Sequence, residues 1–231
     1  MRATETVSVV MVVRNGERHL EGALRSIEEQ SVAPGEIVLI DGNSQDATPD
    51  IARRHPLVRV LQQRGPTISD AYNEGVAAST GELIAFLSYD DVWTPRKLEL
   101  QVARLRAAPP VDGCIGLAQR VIDPGDEAPP GFRRELLDEP RAARIPETLL
   151  LRRRTWERVG PMRPDCGSGG DTEWFARAQD LGVVLGVVQE IVVRKRVHGD
   201  STAHNAANTD AVLLRTVRES LLRKRAGGTA R

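Results

Sequence analysis

Cysteine is scarce in this sequence, and its scarcity excludes two kinds of architecture. The chain has 231 residues and two cysteines, Cys114 and Cys166. Two cysteines cannot build the disulfide framework of a small secreted domain, and they cannot supply a cysteine metal cluster. We therefore expect a fold that depends on an ordinary hydrophobic core, for which the chain is long enough.

Long apolar runs and net charge are also lacking. No apolar segment approaches the roughly 20 residues that span a bilayer, and the first run, residues 7–13, is too short for a signal peptide. The 32 basic and 32 acidic residues cancel, so nothing attracts nucleic acid to the whole surface. We expect a cytoplasmic protein with no transmembrane segment and no nucleic-acid partner. Local basic runs such as residues 152–154 leave peripheral contact with a membrane open.

The first half of the chain alternates between segments typical of strands and of helices. Apolar runs rich in Val, Ile and Leu, as buried strands are, occupy residues 7–13, 36–41, 58–61 and 83–87. Leu20, Ala23, Leu24 and Ile27 form the apolar stripe of a helix. Further helices are predicted over residues 48–54 and 69–79. The alternation predicts an α/β fold with a mainly parallel sheet and helices on both faces.

The second half is less regular. Strands are predicted over residues 111–121, 183–188 and 191–193, and residues 123–140 read as a long loop. One helix is predicted to start with Thr94 as N-cap and Pro95 as first residue, and another to open at Asp171. A C-terminal helix is predicted from the apolar stripe of Leu214, Val217 and Leu221.

Two adjacent carboxylates, Asp90 and Asp91, follow the fourth predicted strand. Asp is depleted inside strands and costly to bury unpaired, so both should lie just past the strand's carboxyl end. Ligands bind at that edge of open α/β sheets. Paired carboxylates there suit a hard divalent cation that also takes phosphate oxygens. For an isolated Asp-Asp pair, a solvated turn with a helix cap is the alternative.

Four segments, in this order, resemble the motifs of the family 2 glycosyltransferases with the GT-A fold. They read VVMVVRN at residues 9–15, IDGNSQDAT at 40–48, AYNEG followed by TGE within 71–82, and SYDDVWTP at 88–95. The resemblance covers about residues 7–200. It implies inverting transfer of a sugar from a nucleotide-diphosphate sugar, UDP or dTDP rather than GDP, to an acceptor. The acceptor, the donor sugar and the oligomeric state stay open.

The resemblance also implies roles for single residues. Nucleotide contacts fall to Val13, Arg14, Asn15, Asp41, which would meet the base, and Asp90. Asp90 and Asp91 would hold the ribose and a Mg²⁺ or Mn²⁺ ion on the diphosphate, and His198 would complete the metal shell, since imidazole is an acceptable Mn²⁺ ligand. Asp171 would be the general base that takes the acceptor proton. A helix N-terminus makes a carboxylate less basic, so burial or a neighbour has to counter that effect at Asp171.

The resemblance implies a division of the chain as well. Residues 1–200 would form the GT-A domain, with a nucleotide-sugar-binding half at 1–108 and an acceptor half at 109–200. Residues 201–231 would form a C-terminal tail and helix. The rings of Trp156 and Trp174 could form the base of a sugar-binding site, although the helical spacing of Trp174 favours a place in the core. Arg194 and Arg196 share one face of a strand, where either could meet phosphate.

The sequence departs from the family pattern at two positions. Ser88 stands where the DXD motif often begins with Asp. Gly170 stands where the family usually has Glu, directly before the catalytic Asp. Both departures favour an alternative, a catalytically inactive protein that binds nucleotide sugars, whereas the retained carboxylates and His198 argue against it. A nucleotidyltransferase would need a glycine-rich basic loop after the first strand. A Rossmann dehydrogenase would need Gly-x-Gly-x-x-Gly after a strand, and the sequence has neither.

Overall fold

The computed structural model describes residues 5–199 and 209–228 and contains, in these ranges, nine strands and seven α-helices. The strands are β1 Val7–Val13, β2 Glu36–Asp41, β3 Val58–Gln62, β4 Leu83–Ser88, β5 Val92–Trp93, β6 Gly113–Val121, β7 Arg141–Ala142, β8 Leu150–Arg152 and β9 Leu185–Arg196. The helices are α1 Leu20–Glu28, α2 Thr48–Arg53, α3 Ile68–Ala78, α4 Lys97–Arg106, α5 Arg153–Val159, α6 Gly170–Asp180 and α7 Thr209–Gly228.

The strands form one mixed sheet in the order β3-β2-β1-β4-β8-β6-β9-β5, with β7 paired to β6. The first four strands of this order are parallel, as predicted. Antiparallel pairing with β8 then joins the second half of the chain to β4. Val13 lies beside Asp41, and Val12 beside Ser88. The carboxyl ends of β1, β2 and β4 therefore meet at one edge of the sheet.

Helices cover both faces of the sheet because the central strands are apolar on both faces. All seven residues of β1 are buried, and alternate side chains contribute to two cores. On one face, Met11 packs with the predicted apolar stripe of α1, whose four members are all buried. On the other, Phe86 lies 5.6 Å from Tyr72 and 5.8 Å from Trp156, measured between ring centroids. Truncation of Phe86 to Ala would cost about 3–5 kcal/mol of folding free energy.

Helix α4 begins later than the sequence indicates, so the prediction of Thr94 as its N-cap is wrong. The Thr94 hydroxyl donates to the carbonyl oxygen of Ile191 at 2.7 Å, and Val92 and Trp93 pair with β9 as a short strand. A donor in the first turn of α4 is satisfied from the segment after α1 instead, because Leu98 N–H donates to the side-chain oxygen of Gln30 at 3.0 Å. Tertiary contacts thus override a local capping signal.

The two late strands predicted separately are one strand, β9. The polar pair Gln189 and Glu190, which reads as a break, is exposed within the continuous strand. The pairing of β9 with β6 shifts register on either side of Leu117, which allows the change in pattern.

The C-terminal helix α7 is present, but its predicted apolar stripe is not buried. Leu214, Val217 and Leu221 are 72%, 50% and 53% exposed. The helix packs on α6 and on residues 164–169 through other side chains, including Val212 and Thr216. Within the described ranges, no helix has the length and apolarity needed to cross a membrane. Residues 200–208, where part of the predicted tail falls, lie outside the described residues.

Candidate active site

A cleft of about 830 Å³ opens at the edge of the sheet where β1 and β4 end. Its lining includes the end of β1, the start of α3, the end of β4, residues 145–147, the start of α6 and one residue of β9. Among the residues predicted to bind or react, the lining contains Val13, Arg14, Asn15, Asp90 and Asp171. The fold thus brings together residues from both halves of the chain.

Asn15 fixes the turn that follows β1. Its φ of 51° is in the left-handed region, which Asn tolerates better than most residues. Its backbone N–H donates to Ser44 Oγ, and its side-chain oxygen accepts the N–H of Gln45, each at 2.9 Å. These bonds join the turn after β1 to the turn after β2, so the nucleotide-lining position of residues 13–15 is built from two strand ends.

Asp41 lies behind this turn and not in the cleft lining. Its carboxylate accepts the Ser44 hydroxyl at 2.5 Å and the Ser44 N–H at 3.3 Å, and the residue is 5% exposed. Asp41 therefore orders Ser44, which in turn holds Asn15. A direct contact between Asp41 and a nucleotide base stays a prediction.

Asp90 lies in the lining and is joined by His198. Oδ2 of Asp90 is 3.2 Å from Nε2 of His198, and both side chains are largely buried. The His19 ring is 5.1 Å from that of His198, measured between centroids. The Asp90 backbone is held in turn, because its carbonyl oxygen accepts a bond from the Arg196 guanidinium at 2.9 Å. Two residues predicted as metal ligands are therefore adjacent.

Asp91 is turned away from Asp90 and is fully buried. Its Oδ2 accepts from Lys195 Nζ at 2.8 Å, and its Oδ1 accepts the Arg196 N–H at 2.9 Å. Both oxygens are thus engaged by β9, and Asp91 is not part of the cleft lining. The arrangement does not fit the predicted role of Asp91 as a metal ligand, because adjacent residues of the turn project in different directions.

Glu147 and Lys195 also line the cleft, although the sequence predicts a site role for neither. Glu147 Oε1 accepts the Ser88 hydroxyl at 2.7 Å and lies 3.5 Å from Lys195 Nζ. Burial raises the pKa of Glu147, but the charge of Lys195 and the hydrogen bonds outweigh burial and hold that pKa below its usual value. Burial lowers the pKa of Lys195, whereas the charges of Glu147 and Asp91 raise it well above normal. Glu147 and Lys195 are therefore both charged at neutral pH.

Asp171 lies in the first turn of α6, as predicted, and faces the cleft. Burial raises its pKa above the ordinary value for Asp; the Thr172 N–H, which donates to Oδ1 at 2.6 Å, opposes this, and the charge of Glu147 reinforces it. Desolvation thus counters the lowering of the Asp171 pKa that its position at a helix N-terminus would cause. A carboxylate made more basic in this way is suited to accept a proton.

Gly170 lies close to Ser69 of α3. A Cβ atom at position 170 would lie 2.1 Å from Ser69 Oγ, so a side chain there would require the Ser69 hydroxyl to rotate away. Ser69 is 1% exposed, and its hydroxyl has no hydrogen-bond partner in the described part of the chain. The absence of a side chain at Gly170 thus leaves room for the Ser69 hydroxyl.

Asp90 and His198 fit a divalent cation as a two-residue donor set. Carboxylate oxygen suits Mg²⁺ and Mn²⁺, and imidazole nitrogen suits Mn²⁺. Residues 5–199 and 209–228 hold no cluster of three or more His, Cys, Asp or Glu side chains around one point. The remaining positions around such an ion would therefore be left for diphosphate oxygens and water, as is usual for Mg²⁺ bound with substrate phosphates.

The aromatic and arginine side chains considered for ligand contact have other partners. Trp156 and Trp174 stack with ring centroids 5.4 Å apart and are buried, which confirms the core assignment of Trp174. Neither ring lines the cleft. Arg196 bonds Asp123 at 2.7 Å as well as the Asp90 carbonyl, and Arg194 is exposed.

Comparison with known proteins agrees with this geometry. The family model described as "Glycosyl transferase family 2" matches residues 8–175. The uncharacterized glycosyltransferase alr2836 of Nostoc sp. is 28% identical over 230 residues, covering 87% of this chain and 68% of the relative. The Escherichia coli enzyme WfgD, named as a UDP-Glc:α-D-GlcNAc-diphosphoundecaprenol β-1,3-glucosyltransferase, is 28% identical and covers 43% of this chain and 40% of its own.

Solved structures of glycosyltransferases share the fold. The mannosyltransferase PcManGT of Pyrobaculum calidifontis, solved with GDP-Man and Mn²⁺, superposes with a TM-score of 0.68 at 22% identity, over 95% of this chain and 65% of its own. Staphylococcus aureus TarS with UDP-GlcNAc gives 0.65 at 19% identity, over 85% and 60%. Neither protein is matched over its whole length.

Proposed function

The chain belongs to glycosyl transferase family 2 and is a glycosyltransferase of the GT-A fold, and we propose that it transfers a sugar from a nucleotide-diphosphate sugar to an acceptor with inversion. One observation carries this proposal. Asp90, with His198 beside it, and the partly buried Asp171 face the same cleft. A site for the leaving diphosphate and a base for the acceptor therefore lie in one cavity.

The nucleotide would occupy the end of β1, where Val13, Arg14 and Asn15 line the cleft. We favour UDP or dTDP as the carrier. Support comes from WfgD, whose name gives UDP-Glc, and from TarS, which was solved with UDP-GlcNAc. Asp41 would contact the nucleotide base directly, or would position the Ser44 turn that does so.

Asp90 and His198 would hold Mg²⁺ or Mn²⁺, and structures of PcManGT and of a Mycobacterium tuberculosis synthase contain Mn²⁺. When bound, the ion neutralises charge on the departing diphosphate. Asp91 has a different role in this proposal. It fixes Lys195 and the end of β9, so that His198, three residues further along the chain, is held against Asp90.

Asp171 would act as the general base. It takes the proton of the acceptor hydroxyl while the acceptor oxygen forms a bond to the anomeric carbon. The bond from that carbon to the diphosphate oxygen breaks, and the diphosphate leaves with the electron pair. One base suffices for this displacement, unlike the paired carboxylates of glycosidases. Partial burial at the cleft wall raises the pKa of Asp171 and so makes it more basic.

Catalysis is favoured over binding alone. Gly170 marks a place where Ser69 occupies the space for a side chain, and Asp171 itself is retained with a raised pKa. The relatives named above are enzymes by name. An inactive protein would have no need to keep an ionisable group with a raised pKa in the cleft.

We extend the proposal to peripheral contact with an anionic membrane surface through α7. Its exposed side includes Leu214, Val217 and Leu221 next to the exposed cations Arg218 and Arg225. Apolar side chains flanked by Arg and Lys suit the interface of an anionic bilayer. The same helix contacts Gly169 through Val212, close to Asp171. A lipid-borne acceptor would then reach the base from the membrane side.

Release of free nucleotide from donor candidates tests the proposed function. Purified protein is incubated with UDP-glucose, UDP-N-acetylglucosamine and GDP-mannose, each with Mn²⁺ and without, and the liberated diphosphate is measured. We expect slow release from a uridine donor with water as acceptor, lost in the Asp171→Asn variant. Absence of release from every donor, together with absence of nucleotide binding, would contradict the proposal.

A further inference from the structure

Glu147 brings a carboxylate to the place where the DXD element of this chain lacks one. Resting on the proposed function, we propose that Glu147 binds a hydroxyl group of the sugar being transferred and thereby helps select the donor. Ser88 replaces the first acidic residue of the motif, and its hydroxyl is bonded to Glu147 at 2.7 Å. The acidic group is thus supplied from a distant segment of the chain, 59 residues further on.

The backbone around Glu147 holds it firmly. It lies in a short 3-10 helix, Pro146–Thr148, where proline restricts the backbone. Its carbonyl oxygen accepts the indole N–H of Trp93 at 3.2 Å, and the Thr148 hydroxyl donates to the carbonyl of Ala143 at 2.6 Å. Glu147 itself is 6% exposed. A side chain fixed in this way can discriminate among ligands because it cannot move out of the way.

The carboxylate of Glu147 has bonding capacity left over. In the described part of the chain, the side-chain donors Ser88 and Lys195 both bond to Oε1 of Glu147. The Lys195 ammonium keeps the group ionised, and an ionised carboxylate only accepts hydrogen bonds. Glu147 lines the cleft, where its carboxylate can accept a bond from a hydroxyl donor, and sugars present several such donors.

The position of Glu147 favours the transferred sugar over the ribose. The sugar has to lie between the diphosphate site at Asp90 and the base Asp171, since the acceptor attacks the carbon that joins the sugar to the diphosphate. Glu147 contacts Ser88 at the end of β4, two residues before Asp90, and lines the same cleft as Asp90 and Asp171. It therefore lies in the cavity that the sugar has to occupy.

The test compares the affinity of each nucleotide sugar with that of its own nucleotide. Wild type, Glu147→Gln and Glu147→Asp are titrated by calorimetry with UDP, UDP-glucose and UDP-N-acetylglucosamine, in the presence of Mn²⁺. Glu147→Gln keeps the shape and the Ser88 contact and removes the charge. Glu173→Gln is the matched control, because Glu173 is a buried carboxylate paired with Arg177 outside the cleft lining.

We expect Glu147→Gln to weaken binding of the preferred UDP-sugar by about tenfold, the size of one charge-assisted hydrogen bond, and to change UDP affinity by less than about twofold. Glu147→Asp, whose carboxylate withdraws by one methylene, should lose most of the same preference, and it decides the matter if the Gln variant does not fold. Glu173→Gln should change neither affinity.

Three results would overturn the inference. Equal weakening of UDP and UDP-sugar would assign Glu147 to the ribose or to structure. Unchanged affinity for both ligands would remove it from binding altogether. A wild type that binds UDP-sugars no more tightly than UDP would show that no sugar subsite exists. Failure of the wild type to bind even UDP would instead contradict the proposed function, so the two failures are distinguishable.

Discussion

The imidazole nitrogen Nε2 of His198 lies 3.2 Å from Oδ2 of Asp90, although 108 residues separate them in the chain. The pair exists because the end of β9 is paired with β5, the short strand that directly follows the turn carrying Asp90. Asp91 secures this pairing by binding both Lys195 and the Arg196 backbone. One of the two adjacent carboxylates therefore faces the cleft while the other holds the cleft together.

Replacement of Asp171 by Asn removes the proposed base and nothing else in the cleft. We expect kcat to fall by about 10²- to 10⁴-fold, the usual contribution of a positioned base. Affinity for UDP with Mn²⁺ should stay within about twofold, because the proposed nucleotide position is at the end of β1 and not at Asp171. The measurement is a steady-state transfer or hydrolysis assay beside a binding titration. Retention of most of the turnover would remove Asp171 as the base.

Replacement of Asp171 by Asn should also change the thermal stability of the protein in a pH-dependent way. The pKa of Asp171 is raised in the folded state, so the folded protein binds the proton at a higher pH than the unfolded chain does. The ionised carboxylate therefore destabilises the fold above its folded-state pKa, and this cost vanishes below the unfolded-state value. We expect Asp171→Asn to raise Tm at pH 7 and to leave Tm unchanged near pH 3. A lower Tm at pH 7 would contradict the raised pKa.

Replacement of Asp91 by Asn should act on stability before it acts on metal binding. Asp91 is fully buried against Lys195, and removal of one partner of a buried ion pair costs about 3–5 kcal/mol. Urea unfolding would measure the loss. The control is Asp50→Asn, which removes the exposed partner of Arg53 and should cost less than about 1 kcal/mol. An Asp91→Asn variant of wild-type stability that no longer responds to Mn²⁺ would restore Asp91 as a ligand.

Contact of α7 with membranes can be tested by sedimentation with vesicles. The apolar and basic side of the helix should bind vesicles that contain anionic phosphatidylserine or phosphatidylglycerol and ignore pure phosphatidylcholine. Val217→Asp with Leu221→Asp should abolish binding without changing UDP affinity. Dimerisation of the wild type in solution, lost in this double variant and accompanied by no vesicle binding, would assign the exposed face to a second copy of the chain.

The strands of the first half could be predicted from sequence because each is an apolar run with clear ends. Residues 7–13 and 36–41 were predicted as strands and form β1 and β2 with those bounds. The stripe of α1 was equally clear. Such segments are determined by local burial, which leaves a periodic pattern in the sequence.

The candidate site was predictable only in part, because half of it depends on distant contacts. The family resemblance indicated Val13, Arg14, Asn15, Asp90 and Asp171, all of which line the cleft. The sequence of the Asp-Asp pair does not show which of the two carboxylates forms hydrogen bonds with β9. Glu147 carried one signal, a lone acidic residue directly before the apolar segment 148–151, which indicates a buried carboxylate with a partner. Lys195 could not be singled out from the sequence, because it lies between two arginines, Arg194 and Arg196.

Calorimetric titration of the wild type and of the Asp90→Ala and His198→Ala variants with UDP, with Mn²⁺ and without, tests the central claim most directly. The claim is that Asp90 and His198 form a metal-assisted diphosphate site. We expect Mn²⁺ to tighten UDP binding to the wild type by about tenfold or more, and each variant to lose most of this gain. Equal affinity of the wild type for UDP with and without Mn²⁺, or an undiminished Mn²⁺ effect in both variants, would contradict it.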